Sequence, residues 1–186
     1  MKRFLLLFVT AVFSLAQLTA QESMFAKGDK VLTVGLGLGT SLYSGSYYKM
    51  TFPPLAASFE VGVKDGVFEK GSLGIGGGIG YTGYKWESSG GDYGWKYSNI
   101  IIGARGYLHY PLVKKLDTYT ALTLGFNISS SNEFGNTSGY EDDYSSGGFI
   151  WGFLIGGRYY LKDNFALVAE LGYGVTYLTL GVAFKL

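Results

Sequence analysis

Residues 178–186 read Leu-Thr-Leu-Gly-Val-Ala-Phe-Lys-Leu, and every second residue of this stretch is large and apolar. The residues between them are Thr179, Gly181, Ala183 and Lys185. Such alternation places apolar side chains on one face of a β-strand and small or polar side chains on the other. Residues 32–39 repeat the pattern, with leucine and valine alternating with threonine and glycine. Both stretches are therefore predicted strands.

The same alternation recurs between these two stretches, and the sequence predicts eight strands in all. They cover residues 30–43, 52–64, 72–86, 96–110, 118–129, 148–161, 165–173 and 177–186. Most are longer than the roughly 5–6 residues usual in soluble proteins. They reach the roughly 9–11 residues that a tilted strand needs to cross a bilayer. Strand length therefore favours a membrane protein.

The predicted connections alternate in length. Stretches 44–51, 87–95 and 130–147 are long and polar, and stretches 65–71, 111–117 and 162–164 are short. A tight hairpin around Gly174–Thr176 departs from this pattern. Long loops on one side and short turns on the other are typical of bacterial outer-membrane barrels. An even number of strands would place both termini on the short-turn, periplasmic side.

The composition decides which face meets lipid. Of 186 residues, 30 are glycine, and only 16% are charged. A soluble eight-stranded barrel, the alternative, would need many Lys and Glu on its outer face. Here the more polar face holds mostly Gly, Ala, Ser and Thr, and the apolar face has no charge at any strand centre. We therefore predict an all-β protein, an eight-stranded antiparallel up-and-down transmembrane β-barrel with its apolar face toward lipid.

The first residues have the pattern of a secretory signal. Met1-Lys2-Arg3 is basic, an apolar run follows, and Leu18-Thr19-Ala20 offers small residues for cleavage. We expect a signal peptide over residues 1–20, cleavage between Ala20 and Gln21, and a barrel domain over residues 21–186. The chain has no cysteine and a net charge of +1, which excludes disulfides and cysteine-ligated metals and gives no indication of a nucleic-acid partner.

The mature chain resembles the small outer-membrane β-barrel proteins of the OmpX/OmpA-barrel type, in the form common in Bacteroidota. The matching residues are Lys27–Leu32 with Gly35-Leu36-Gly37, Gly103–Tyr107 with His109, Arg158–Leu161 with Asn164, Glu170–Gly174, and Leu180–Lys185. The resemblance implies location in the outer membrane, contact with its lipids and lipopolysaccharide, and insertion by the barrel assembly machinery. Such barrels usually end in an aromatic residue, whereas this chain ends in Leu186 with Phe184 two places earlier.

Four charged residues fall on the predicted lumen face at similar depth: Glu60, Arg105, Arg158 and Glu170. Buried charges are costly unless they are paired, so we predict one interior ionic cluster. Arg158 and Glu170 lie on strands joined by a short turn, which would place them diagonally across the strand pair. The cluster could close the lumen as a plug, or it could gate a narrow pore.

Other motifs give weaker signals. Residues 78–83 match Gly-x-Gly-x-x-Gly, but no helix follows, so lumen glycines explain the match better than a nucleotide site. The single histidine, His109, lies near the periplasmic end of its predicted strand, where we expect a structural or rim role. An acidic loop with Glu133, Glu141, Asp142 and Asp143 could bind Ca²⁺, although a solvated loop is the simpler interpretation.

These patterns lead to three hypotheses about function. The first is a structural or interaction protein, expected as a monomer, that supports the envelope and displays loops to surface ligands. The second is a narrow channel for small solutes, gated by the interior cluster. The third is an outer-membrane enzyme, but the sequence shows no recognisable nucleophile–base arrangement for one. We therefore predict a non-enzymatic barrel with no catalytic residue, cofactor or metal.

Overall fold

The computed structural model describes residues 23–40, 42, 48–88, 93–135 and 144–186. The strands are β1 (Lys30–Leu38), β2 (Tyr48–Val67), β3 (Gly71–Glu87), β4 (Tyr93–Val113), β5 (Leu116–Gly135), β6 (Tyr144–Lys162), β7 (Phe165–Tyr173) and β8 (Leu178–Lys185). Each strand pairs antiparallel with the next, and β8 pairs with β1 to close the barrel. The predicted fold class, number of strands and strand order are confirmed.

The described part of the chain contains no helix that is both long and apolar enough to cross a membrane. The predicted signal peptide, with its cleavage site at Ala20 and Gln21, lies outside the described residues, as do Glu141, Asp142 and Asp143 of the acidic loop.

Several predicted strand ends were wrong. β2, β4, β5 and β6 continue well into stretches that were predicted to be long connections. There the sequence carries serine, asparagine and tyrosine on both faces, so the period-two contrast disappears although the backbone pairing continues. β1, in contrast, ends at Leu38, short of the predicted residue 43.

The wall of the barrel is uneven in height. β1, β7 and β8 have 9, 9 and 8 residues, whereas β2 to β6 have between 17 and 21. The β6–β7 ladder stops at the pair of Phe153 and Tyr173, although β6 begins at Tyr144. The five long strands therefore stand above the short ones at the end of the barrel where the long loops lie.

Apolar side chains cover the outside of the barrel, as predicted. Leu124 is 49% exposed, whereas its neighbour in sequence, Thr123, is 7% exposed and faces the lumen. Other exposed apolar residues on the outer face are Ile75, Ile79, Ile102, Phe126, Trp151, Ile155 and Leu171. On β4 this apolar belt extends from Tyr110 to Ile100. That span of eleven residues matches the roughly 9–11 that a bilayer requires.

Glycines make room in the lumen for a few large side chains. A Cβ atom at Gly156 would lie 2.6 Å from the ring of Tyr119, and one at Gly74 would overlap the carboxylate of Glu60. An eight-stranded lumen is only wide enough to be filled by side chains. Glycine at these positions therefore lets Tyr119 and Glu60 extend across the interior.

Candidate functional site

Four charged residues from four strands meet inside the barrel near its short-turn end. They are Glu60 on β2, His109 on β4, Asp117 on β5 and Arg158 on β6. The strand register explains part of the arrangement, because Asp117 lies directly opposite Arg158 in the β5–β6 ladder. His109 lies opposite Ser72, and Glu60 on β2 reaches across the lumen to Arg158 on β6. We call this group the ionic ring.

The ionic ring is closed by four contacts. Arg158 Nη2 donates to Glu60 Oε2 at 2.6 Å, and Arg158 Nη1 lies 3.4 Å from Asp117 Oδ2. His109 Nε2 lies 2.5 Å from Glu60 Oε1, and His109 Nδ1 lies 2.8 Å from Asp117 Oδ1. Each acid therefore contacts both bases, and each base contacts both acids.

The contacts favour the doubly protonated, positively charged form of His109. Both ring nitrogens face carboxylate oxygens, and an ionised carboxylate can only accept hydrogen bonds. Both nitrogens must then donate, so the imidazole carries two protons and a positive charge. With Arg158 also positive and Glu60 and Asp117 negative, the ionic ring is neutral overall.

The ionic ring is shielded from water. Glu60, His109 and Arg158 are each 1% exposed, and Asp117 is 3% exposed. The guanidinium carbon of Arg158 lies 4.4 Å from the centre of the Tyr119 ring, a cation–π contact in a desolvated place. Tyr107, at 2% exposed, adds a second aromatic ring on the same side. Pairing and aromatic packing together offset the cost of burying four charges.

Residues 23–29, the N-terminal plug, close the short-turn end of the barrel below the ionic ring. The Phe25 side chain is fully buried and stacks on His109, with ring centroids 4.0 Å apart and an interplanar angle of 20°. Ser72 Oγ donates to the Phe25 carbonyl at 3.2 Å. The N-terminal plug is fixed to β8 by the ion pair of Asp29 and Lys185, whose atoms are 2.6 Å apart.

The structure divides the cluster that the sequence predicted. It brings Glu60 and Arg158 together, but Arg105 and Glu170 lie outside the ionic ring. Glu170 stands diagonal to Arg158 in the β6–β7 register. Its carboxylate instead accepts a hydrogen bond from Tyr119 Oη at 2.7 Å. Among the described residues, neither Arg105 nor Glu170 forms a salt bridge.

Arg105 and Glu170 line a small cavity closer to the long-loop end. Its volume is about 40 Å³, and Thr123 and Thr179 also contribute to its wall. The Nε atom of Arg105 is buried there without a hydrogen-bond partner. A void of this size has room for a few water molecules, since one needs roughly 10–15 Å³ of such volume.

Sequence reasoning missed two members of the ionic ring. The sequence places Asp117 in the short connection 111–117, whereas β5 already begins at Leu116. His109 alternates in phase with Tyr107 and Arg105, so its position on the lumen face was readable from the sequence. That phase could have placed His109 beside the carboxylates, whereas the contacts themselves depend on the barrel closing.

The ionic ring has no free group that could act as a nucleophile or a base. All four charged groups are engaged with one another, and among the described residues no serine or threonine hydroxyl and no lysine amine hydrogen-bonds to them. Within the described ranges, no group of three or more acidic or histidine side chains is arranged to hold a metal ion. Higher in the lumen, Thr82 and Asn99 are also fully buried.

A closed eight-stranded up-and-down barrel with an apolar exterior and polar, charged side chains in its lumen defines a class of protein, the small transmembrane β-barrels. No protein-family model matches the sequence, and no curated protein matches it. Solved structures do match the fold. Several of them are small outer-membrane barrels of the OmpA/OmpX type, which confirms the predicted resemblance for the fold. The narrower link to Bacteroidota stays a prediction.

Three of these structures show the extent of the likeness. Ail of Yersinia pestis, in complex with the heparin analogue sucrose octasulfate, has a TM-score of 0.55 and 13% identity, over 86% of this chain and 99% of Ail. The N-terminal barrel domain of Pseudomonas aeruginosa OprF has a TM-score of 0.52 and 13% identity, over 87% of this chain and 98% of that domain. OprG from the same organism has a TM-score of 0.51 and 10% identity, over 89% of this chain and 99% of OprG.

Proposed function

We propose that this chain is a structural and interaction protein of the outer membrane, a monomeric barrel that displays loops at the cell surface while its lumen stays closed. The observation that carries the proposal is the ionic ring, whose four side chains are at most 3% exposed. It joins β2, β4, β5 and β6 across the lumen at one level.

Three features support the membrane location. The outer face is apolar over a height that suits a bilayer, and a closed barrel satisfies its backbone groups without water. The fold is that of outer-membrane barrels. In this proposal residues 1–20 are a signal peptide, cleavage occurs between Ala20 and Gln21, and the assembly machinery inserts residues 21–186 with both ends in the periplasm.

The energetics of the ionic ring support the proposal that the lumen is closed. Removing one partner of a buried, hydrogen-bonded ion pair typically costs about 3–5 kcal/mol, because the other charge is left uncompensated. Opening a passage past Arg158 would break its contacts with both Glu60 and Asp117. The N-terminal plug lies in the way as well, since Phe25 stacks on His109. The ionic ring therefore acts as a rigid cross-brace.

Surface ligands enter the proposal through the long-loop end. Ail, a protein of the same fold, is described in complex with a heparin analogue. The barrel described here raises its five longest strands at that end, which gives the loops an elevated support. We propose a role in contact with lipopolysaccharide and surface ligands rather than catalysis.

A narrow channel gated by the ionic ring is the second candidate. The cavity beside Arg105 and Glu170 favours it, because that cavity provides polar space directly beyond the closed level. In this alternative, separation of Glu60 and Asp117 from Arg158 would connect the cavity to the short-turn end of the barrel.

Conductance across planar bilayers tests the proposal. We expect refolded wild-type protein, and the variants Glu60→Gln and Asp117→Asn, to produce no steady channel current. Steady current from the wild type would overturn the closed barrel. A silent wild type with conducting variants would instead establish the gated channel. Fractionation of cells is the companion measurement, and recovery as a soluble periplasmic protein would overturn the membrane location.

A further inference from the structure

Three lysines lie side by side on the outer surface of the barrel near the long loops. Lys49 on β2 is the register partner of Lys85 on β3, and Lys85 is the partner of Lys96 on β4. We call them the lysine row. Lys96 shares its face with Ser98 and Ile100, so the lysine row points away from the lumen.

The lysine row is unfavourable for the isolated barrel. Like charges directly opposite each other on neighbouring strands destabilise a sheet. Glu87 compensates part of the charge, with its carboxylate oxygens 3.0 Å from Lys49 Nζ and 2.6 Å from Lys85 Nζ. The Lys96 ammonium lies 5.3 Å from the centre of the Phe134 ring and forms no salt bridge with a described residue. Three lysines and one glutamate leave two uncompensated positive charges.

Other acidic groups near the lysine row do not remove this excess. Glu133 lies opposite Trp95 and therefore on the lumen-facing side of β5, away from Lys96. Asp92 and residues 141–143 lie outside the described residues. Among the described side chains, Glu87 is the one carboxylate that contacts the lysine row.

The height of the lysine row matches the headgroup zone of a membrane. On β4 the apolar belt ends at Ile100, and Lys96 lies four residues further toward the loops. At about 3.3 Å per residue along a tilted strand, this is roughly 10 Å beyond the hydrocarbon edge. Lysine side chains can reach back along apolar surface toward the phosphates, a behaviour known as snorkelling.

We propose that Lys49, Lys85 and Lys96 form a docking site for the phosphate groups of a multiply anionic lipid headgroup in the leaflet at the long-loop end. Neighbouring strands are about 4.8 Å apart, so the lysine row spans about 10 Å and can contact two phosphates at once. The site rests on the proposed membrane location. Binding of the anion relieves the repulsion that the isolated barrel retains.

The test compares lipids and matched variants by native mass spectrometry of refolded protein released from vesicles. The vesicles contain phosphatidylcholine alone, or with added phosphatidylglycerol or phosphatidic acid, whose phosphate carries one or up to two charges. The row variant is Lys49→Gln/Lys85→Gln/Lys96→Gln. The control is Lys64→Gln/Lys114→Gln/Lys162→Gln, which removes three exposed lysines at the opposite end of the barrel.

We expect the wild type and the control to retain phosphatidic acid over phosphatidylcholine, and the row variant to lose that preference by about fivefold or more. Phosphatidylglycerol should be retained less than phosphatidic acid. Equal loss in both variants would show general electrostatic attraction and overturn the site. Complete displacement by excess inorganic pyrophosphate would show a soluble-phosphate site and overturn the lipid assignment.

The same experiment separates this site from the proposed function. Wild-type protein that enters vesicles but retains every lipid equally would overturn the lysine-row site alone. Wild-type protein that remains in the supernatant would overturn the membrane location and the site together.

Discussion

Phe25 stacks on His109 with ring centroids 4.0 Å apart and an interplanar angle of 20°. Phe25 belongs to the N-terminal plug, and His109 belongs to the ionic ring on β4. The contact therefore couples the segment that closes the short-turn end to the charges that cross the lumen. Both side chains are at most 1% exposed.

Replacing Phe25 by alanine tests this coupling. Phe25→Ala should lower the free energy of unfolding by about 3–5 kcal/mol, the usual cost of removing a buried phenylalanine. Phe68→Ala is the matched control, because Phe68 lies in a short turn and is 73% exposed. Urea unfolding of the refolded barrel in lipid measures the free energy of unfolding of both variants. A similar small loss in both variants would mean that the N-terminal plug is not part of the stable core.

The ion pair of Glu60 and Arg158 should show strong energetic coupling. Glu60→Ala or Arg158→Ala alone should cost about 3–5 kcal/mol, because each leaves a buried charge without its partner. The double variant should cost clearly less than the sum, with a coupling energy above about 1 kcal/mol, the upper range for exposed pairs.

The control cycle for this prediction combines Glu60→Ala with Arg105→Ala. Arg105 lies outside the ionic ring, so its effect should add to that of Glu60→Ala within about 0.5 kcal/mol. Additive behaviour of Glu60 and Arg158, together with coupling of Glu60 and Arg105, would contradict the arrangement described here and favour the cluster predicted from the sequence.

The fold was largely readable from the sequence because one physical contrast repeats in every strand. Lipid requires an uncharged, apolar outer face, and a narrow lumen requires glycine and small polar residues. That contrast disappears at the strand ends beyond the apolar belt, because polar residues occupy both faces there. Ser129–Ser131 and Ser145–Ser146 are examples. Strand pairing continues there without a sequence signal, which is why those ends were predicted too short.

The ionic ring was only partly predictable for a different reason. Alternation identifies which residues face the lumen, and Glu60, Arg105, Arg158 and Glu170 all lie on that face. Partner choice across the lumen depends on strand stagger, which brings residues 49 positions apart, Glu60 and His109, into contact. Periodicity within single strands carries no information about that stagger.

His109 should be required as a cation rather than as an aromatic filler. His109→Phe keeps a flat ring against Phe25 but removes one positive charge, so Glu60 and Asp117 then share Arg158 alone. We expect a loss of about 3 kcal/mol or more, as for other broken buried pairs. The second variant His109→Phe/Glu60→Gln restores neutrality and should recover part of that loss. Equal stability of His109→Phe and wild type in urea unfolding would refute a charged His109.

The orientation of β5 gives a final test of the barrel in its membrane. Leu124 is 49% exposed on the outer face, and Thr123 beside it is 7% exposed in the lumen. Leu124→Arg should cost about 2–4 kcal/mol in lipid, as cations do near the bilayer midplane. Urea unfolding of the protein refolded in lipid measures this loss, because a Leu124 side chain that faced water would accept arginine without one. Thr123→Arg should be disruptive for another reason, since it overpacks the lumen beside Arg105. A harmless Leu124→Arg combined with a disruptive Thr123→Arg would mean that the apolar belt does not face lipid.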